Sequence, residues 1–170
     1  KVVVKIEFKN DKESQLGMPL PLGKVRVYKE DKVGKSLEFI GEDNLEHTPK
    51  DEKRRLTMGN AFDLVGERQQ MDNQQMGART FRQTFEIKLR NHKDKEAATI
   101  NVLEHMGGEW EIRKESVVVT KKNGQPKPGR VVSEKKDALT QEWKIDVPAD
   151  SEAVLTCTVQ CPVAPNSGAV

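Results

Sequence analysis

Apolar and polar residues alternate one by one over much of this chain. In "TFRQTFEIKLRN", Phe81, Phe85, Ile87 and Leu89 share one parity while Arg82, Glu86, Lys88 and Arg90 share the other. A period of two is the signature of a half-buried strand. "LTQEWKIDVP" repeats it, with Trp143, Ile145 and Val147 set against Glu142, Lys144 and Asp146. Pro148 then ends the pairing, having no N–H to donate. "PADSE" turns the chain back into a last strand, where Ala153, Leu155, Cys157 and Val159 share a face.

Upstream, "VVVKIEF", "KVRVYKE", "SLEFIGE" and "FDLVGERQ" read as strands, separated by turn chemistry in "LGMPLPLG" and "EDKVGK". "TPKDEKRRLTMG" opens like a helix, with Thr48 as cap and Pro49 at the first position. Only Leu56 and Met58 in it are suited to burial, so the expectation is a charged edge strand. No segment shows the i, i+3, i+4 apolar spacing of an amphipathic helix.

"QQMDNQQMGA", between Arg68 and Arg79, is amide-rich and without period, which predicts a connection. The expected organisation is an N-terminal β-unit over residues 1–70, a linker over 71–78, an immunoglobulin-like β-sandwich over 79–163 and a tail over 164–170. The fold class is therefore all-β: an antiparallel β-sandwich whose C-terminal half has short strands with turns every 8 to 12 residues.

Two places suggest contact surfaces. In "VVVTKKNGQPKPGRVV", β-branched runs enclose Asn123-Gly124, a strong hairpin signal, and Gln125, Pro126 and Lys127 carry the return. The expectation is a protruding ribbon, either a solvated decoration or a contact arm. The N-terminal run containing Val2, Val4 and Ile6 forms a strand with no lead-in, whose edge is open to pairing with another chain. The start at Lys1 without Met suggests a processed protein or a fragment of a longer one.

Composition narrows the partners. The chain carries 29 basic and 27 acidic residues, a net charge of +2, with acids beside the basic pairs Arg54-Arg55, Lys121-Lys122 and Lys135-Lys136. That provides no one-sided basic field for nucleic acid. Aromatics at 5% supply few stacking platforms. No apolar run approaches the ~20 residues that span a bilayer as a helix. The expected partner is a protein or a second copy engaged through strand edges; a small-molecule ligand is not expected.

Candidate chemistry is sparse. Cys157 and Cys161 lie four residues apart on one strand, about 13 Å, which is too far to bridge. His92 falls in a turn between strands and so reads as a hairpin-loop residue; His105 closes "TINVLEH", and His47 lies far away in sequence. Zinc sites are announced by closely spaced ligand pairs, and none occurs. A metal site of His47, His92 and His105 would have to assemble wholly through the fold, giving the alternative of a metal-dependent hydrolase of envelope polysaccharide. No cofactor is expected. The acids of "GEDN", "MDN" and "HKDKE" lack the spacing of a calcium loop. Trp110 and Trp143 read as core anchors; a carbohydrate- or peptide-binding module would instead expose one of them.

Four separated stretches, "PLPLGKVRVYK", "GEDNLEHTPKDE", "GNAFDLVGER" and "LRNHKDKEA", carry a resemblance that runs from about Phe8 to Val159. The chain resembles the C-terminal portion of the bacterial domain-of-unknown-function family 4139, the mucoidy-inhibitor A-like proteins. The resemblance implies an exported protein of the periplasm, cell surface or extracellular space, with further N-terminal sequence. It brings no catalytic residues to carry onto His47, Asn91 or His92. The Asn-Gly ribbon, residues 117–132, looks like an insertion relative to that pattern. Together these features predict a non-enzymatic envelope or secreted module that acts through its surfaces.

Overall fold

The computed structural model describes residues 1–30, 36–77 and 80–162. Most of the "EDKVGK" turn, the linker residue Ala78 and the tail 164–170 lie outside the described residues. Among the described residues there is no helix. The strands are β1 (Val3–Lys9), β2 (Gly23–Glu30), β3 (Leu37–Leu45), β4 (Lys53–Asn60), β5 (Leu64–Gly77), β6 (Thr80–Asn91), β7 (Ala98–His105), β8 (Glu111–Lys121), β9 (Lys127–Pro128), β10 (Val131–Lys135), β11 (Thr140–Val147) and β12 (Ser151–Pro162). Every pairing between them is antiparallel.

The chain divides into two compact units, Lys1–Ala61 and Phe62–Val170. This corrects the expected boundary: residues 71–77 are not a linker but the second half of β5, hydrogen-bonded along β6 from Leu64↔Asn91 to Gly77↔Thr80. This half of the strand hid, although "FDLVGERQ" reads as its beginning, because β5 lies at a sheet edge and is exposed from Glu67 onward. With little to bury it has no need of alternation, and the amides of Gln69, Gln70, Asn73, Gln74 and Gln75 face water.

In the second unit, one sheet has the order β5-β6-β12-β8-β9 and another the order β10-β11-β7. The expected apolar faces are buried, with Phe85, Ile87 and Leu89 on β6, Trp143, Ile145 and Val147 on β11, and Ala153, Leu155, Cys157 and Val159 on β12, but Phe81 is only half-buried and Glu142, expected on the open face of β11, is buried beside Lys136. Trp143 meets the Phe85 ring edge-on, 6.2 Å between centroids. Its indole N–H donates to Glu115 Oε2 at 2.8 Å, so the polar handle of a fully buried ring is satisfied.

The segment 92–97 is not a hairpin loop, because β6 and β7 belong to different sheets. "PADSE" likewise crosses from β11 in one sheet to β12 in the other. Alternation reveals a strand but not its partner, since pairing is decided by residues far away in sequence.

The first unit is sparser. It comprises two pairs, β1-β4 and β2-β3, around Leu45, Leu56 and Met58, with Phe8, Leu20, Val25 and Val27 packed against them. "TPKDEKRRLTMG" supplies β4 rather than a helix, and buries Leu56 and Met58 as its pattern predicts.

The two units share a device. "IEFKNDK" ends β1 and "IKLRNHK" ends β6, with isoleucine, asparagine and lysine in common at a spacing of 91 − 10 = 81. "PKDEKRRLT" leads into β4 and "PADSEAVLT" into β12, with Pro, Asp, Leu and Thr in common at a spacing of 150 − 51 = 99. The pairing registers coincide as well: Ile6 faces Leu56 as Ile87 faces Leu155.

At the end of each pair an asparagine is enclosed. Asn10 Nδ2 donates to the carbonyls of Met18 (2.7 Å), Thr48 (3.2 Å) and Pro49 (2.9 Å), and its Oδ1 accepts from Gly17 N (3.1 Å). Asn91 Nδ2 donates to Glu96 (2.9 Å), Val147 (3.1 Å) and Pro148 (3.1 Å), and its Oδ1 accepts from Lys93 N (3.0 Å). Both side chains are almost wholly buried, and each leaves no donor or acceptor unused. Two residues past each proline, Asp51 (φ 67°) and Asp150 (φ 47°) take the left-handed conformation that reverses the chain.

Candidate interaction surfaces

The repeat allows a position-by-position reading of what each unit covers. Val4, Ile6 and Phe8 stand where Phe85, Ile87 and Leu89 stand in β6. Phe85, Ile87 and Leu89 are 2%, 6% and 2% exposed, whereas Val4 and Ile6 are 40% and 37% exposed. In the second unit β6 is paired on both edges, by β5 and β12, and its Phe85 lies under Trp143 and the Arg68 guanidinium, 4.9 Å from the ring centroid. Among the described residues β1 is paired on one edge only, by β4. The contact residues expected at the N-terminus, Val2, Val4 and Ile6, therefore lie on or beside a strand whose core-type positions Val4 and Ile6 are open, while Phe8 packs against the core of the unit; Val2 is half-buried, its carbonyl accepting from Ala61 N at 2.8 Å.

The corresponding edge of β4 is closed differently. In the second unit β12 has β8 beside it. Here Asp43 of β3 reaches over, its Oδ2 accepting from Thr57 N at 2.6 Å and its Oδ1 from Asn44 N at 2.8 Å. Those two backbone donors hold the Asp43 carboxyl below its ordinary pKa, Thr57 contributing most. Gly41 makes the approach possible: a Cβ there would collide with the Met58 carbonyl oxygen.

The Asn-Gly ribbon is shorter than expected. Asn123, Gly124, Gln125, Pro126 and Lys127 are exposed, but the return strand β9 pairs only Val118↔Pro128 and Val119↔Lys127 before the chain leaves for β10 in the other sheet. The turn closes Gly124 N to Lys121 O at 2.9 Å, centred on Lys122-Asn123, and neither Asn123 nor Gly124 has positive φ. It is thus not the primed Asn-Gly turn the dipeptide suggests. A Gly129 Cβ would strike the Val117 and Val119 side chains, so the chain passes close over β8 as it crosses between sheets.

The candidate metal ligands do not converge. His92 follows β6 beside the Ala98 end of β7, while His105 closes the other end of β7, seven residues on and about 24 Å away. His105 Nδ1 lies 3.1 Å from Thr140 Oγ1, and His47 Nδ1 accepts from Leu22 N at 3.3 Å in the first unit. Among the described residues no three His, Cys, Asp or Glu side chains group as a metal site. "GEDN" and "MDN" lie inside β3 and β5, and in "HKDKE" Lys93 pairs with Glu96 at 3.3 Å.

Neither tryptophan offers a platform. Trp143 is fully buried, and Trp110 is 9% exposed with its N–H donating to Ala138 O at 2.8 Å and Lys135 Nζ 4.3 Å over its ring. An open depression of about 300 Å³ beside Trp110 is lined by Thr80, Glu109, Glu111, Gln160 and Pro162. Cys157 is buried, and desolvation aided by Glu115 and Glu104 pushes its thiol up to about 12. Cys161 is half-buried and also raised by burial. No helix of the described residues is long and apolar enough to cross a membrane.

Sequence reasoning missed Asn10 and Asn91, each of which reads as an ordinary turn residue at a strand end. The signal was present as two short repeats at different spacings, visible only when the chain is compared with itself. No protein-family model matches this chain, and no curated protein matches it.

Proposed function

We propose that this protein is a non-enzymatic, exported envelope or secreted module that associates with other copies through open strand edges, its second unit being an immunoglobulin-like β-sandwich. The observation that carries the reading is the contrast in cover: positions buried on β6 are about 40% open at their equivalents Val4 and Ile6 on β1. An open edge with apolar positions is a template for a further strand. The separation of His92 from His105 favours this reading over a metal-dependent hydrolase, and the burial of Trp110 and Trp143 favours it over a carbohydrate-binding module. Membership of family 4139 belongs to the same proposal, on the four sequence stretches that resemble it.

Sedimentation over a hundredfold concentration range, combined with hydrogen exchange, tests the proposal. Mass should rise with concentration while amides along an edge strand become protected. A monomer at every concentration, with exchange unchanged, would overturn it.

A further inference from the structure

We infer that β1 pairs with the β1 of a second copy of this chain, antiparallel and centred on Ile6; the inference rests on the edge-association reading and names its strand, its occupant and its register. In an antiparallel two-fold pair, opposing residue numbers have a constant sum and opposing side chains share a face. A sum of twelve places Ile6 against the second copy's Ile6, and Val4 against its Phe8 on both sides of the axis. These are the three apolar positions whose counterparts on β6 are covered.

The same register places Lys5 against the second copy's Glu7, twice, on the opposite face. Opposite charges in facing positions stabilise a sheet, and like charges there destabilise it. Glu7 already holds Arg55 of β4, 2.7 Å from Oε2 to Nη2, so the new lysine would extend a charge row across three strands. The second unit has a facing pair of the same kind on that side: Lys88, at Glu7's place in the repeat, faces Glu67 of β5 across the antiparallel β5-β6 pair, while its neighbour on β12 is the uncharged Val154. The second copy's β1 would thus stand to β1 as β5 stands to β6. Within the β1-β4 pair the irregularity falls on β4, where Met58 is the extra residue, so β1 itself runs without a bulge.

The test combines charge reversal with cross-linking. Lys5→Glu should weaken dimerisation of the full chain roughly tenfold, by setting glutamates against each other, and Lys5→Glu with Glu7→Lys should restore most of it. In a Cys161→Ser background, Ile6→Cys should form a disulfide-linked dimer under mild oxidation, since facing Cα atoms lie about 4.5–5.5 Å apart. Val3→Cys should not, because its two copies would be about 20 Å apart. A dimer indifferent to Lys5→Glu that fails to link through Ile6→Cys would overturn pairing through β1 while leaving edge association through another strand standing. A chain that stays monomeric would overturn both.

Discussion

The two units solve the same problem at one end and part ways at the other. In each, a buried asparagine at the end of one strand, β1 or β6, grips the carbonyls of the X-Pro step that leads into the last strand, β4 or β12, and an aspartate with positive φ reverses the chain. Beyond that clasp, the second unit adds strands on both sides of the β6-β12 pair and a fully buried Trp143, whereas the first unit adds a β2-β3 pair and one carboxylate. The clasp fixes the register, and burial beyond it decides how much core each unit has. Where a strand is lacking, its hydrogen-bonding role falls to a side chain, as Asp43 does for Thr57, or the edge has no strand beside it among the described residues, as along β1.

The comparison is broken most severely by emptying the better-filled unit. Trp143→Ala should cost about 3–5 kcal/mol by leaving a large cavity and stranding Glu115, read as a lower denaturant midpoint of the second unit. Asn10→Ala and Asn91→Ala come next, each at about 2–3 kcal/mol, since each leaves several carbonyls without their donor. Both tryptophans lie in the second unit and the single tyrosine, Tyr28, in the first, so indole fluorescence should register Asn91→Ala and ignore Asn10→Ala. A shift of indole fluorescence in Asn10→Ala would show that the two clasps do not serve separate units.

Gly41→Ala should cost about 1–3 kcal/mol through overpacking against the Met58 carbonyl, measured by hydrogen exchange along β4. Smallest is the effect of acid on Asp43. Its folded pKa lies below the unfolded carboxylate value, so its contribution is present above roughly pH 4 and lost as pH falls through the depressed folded value. Asp43→Asn should flatten that part of the pH dependence for the first unit and leave the second unchanged.

How much could be read beforehand follows from what each feature depends on. The faces of β6, β11 and β12 were legible because alternation is local and one face is buried. The second half of β5 was not, because an exposed edge strand of Gln, Asn and Met is held by backbone bonds to β6 and needs no apolar stripe. Hairpins were inferred where strands meet in sequence, yet β6 and β7, like β11 and β12, go to different sheets. Asn91 looked like a turn residue because its partners at Val147 and Pro148 lie 56 and 57 residues away. Val4 and Ile6 were legible as strand residues on an open edge, but how far their side chains are exposed was not, since that depends on strands that sequence alternation does not count.

Cys157 carries a consequence for how the chain matures. Only a thiolate attacks a disulfide, and with its pKa near 12 about one molecule in ten thousand is ionised at pH 8. In an oxidising compartment this sulfur would be a spectator to disulfide exchange. The half-buried Cys161 is then the position at which glutathione or another small thiol would first leave its mark.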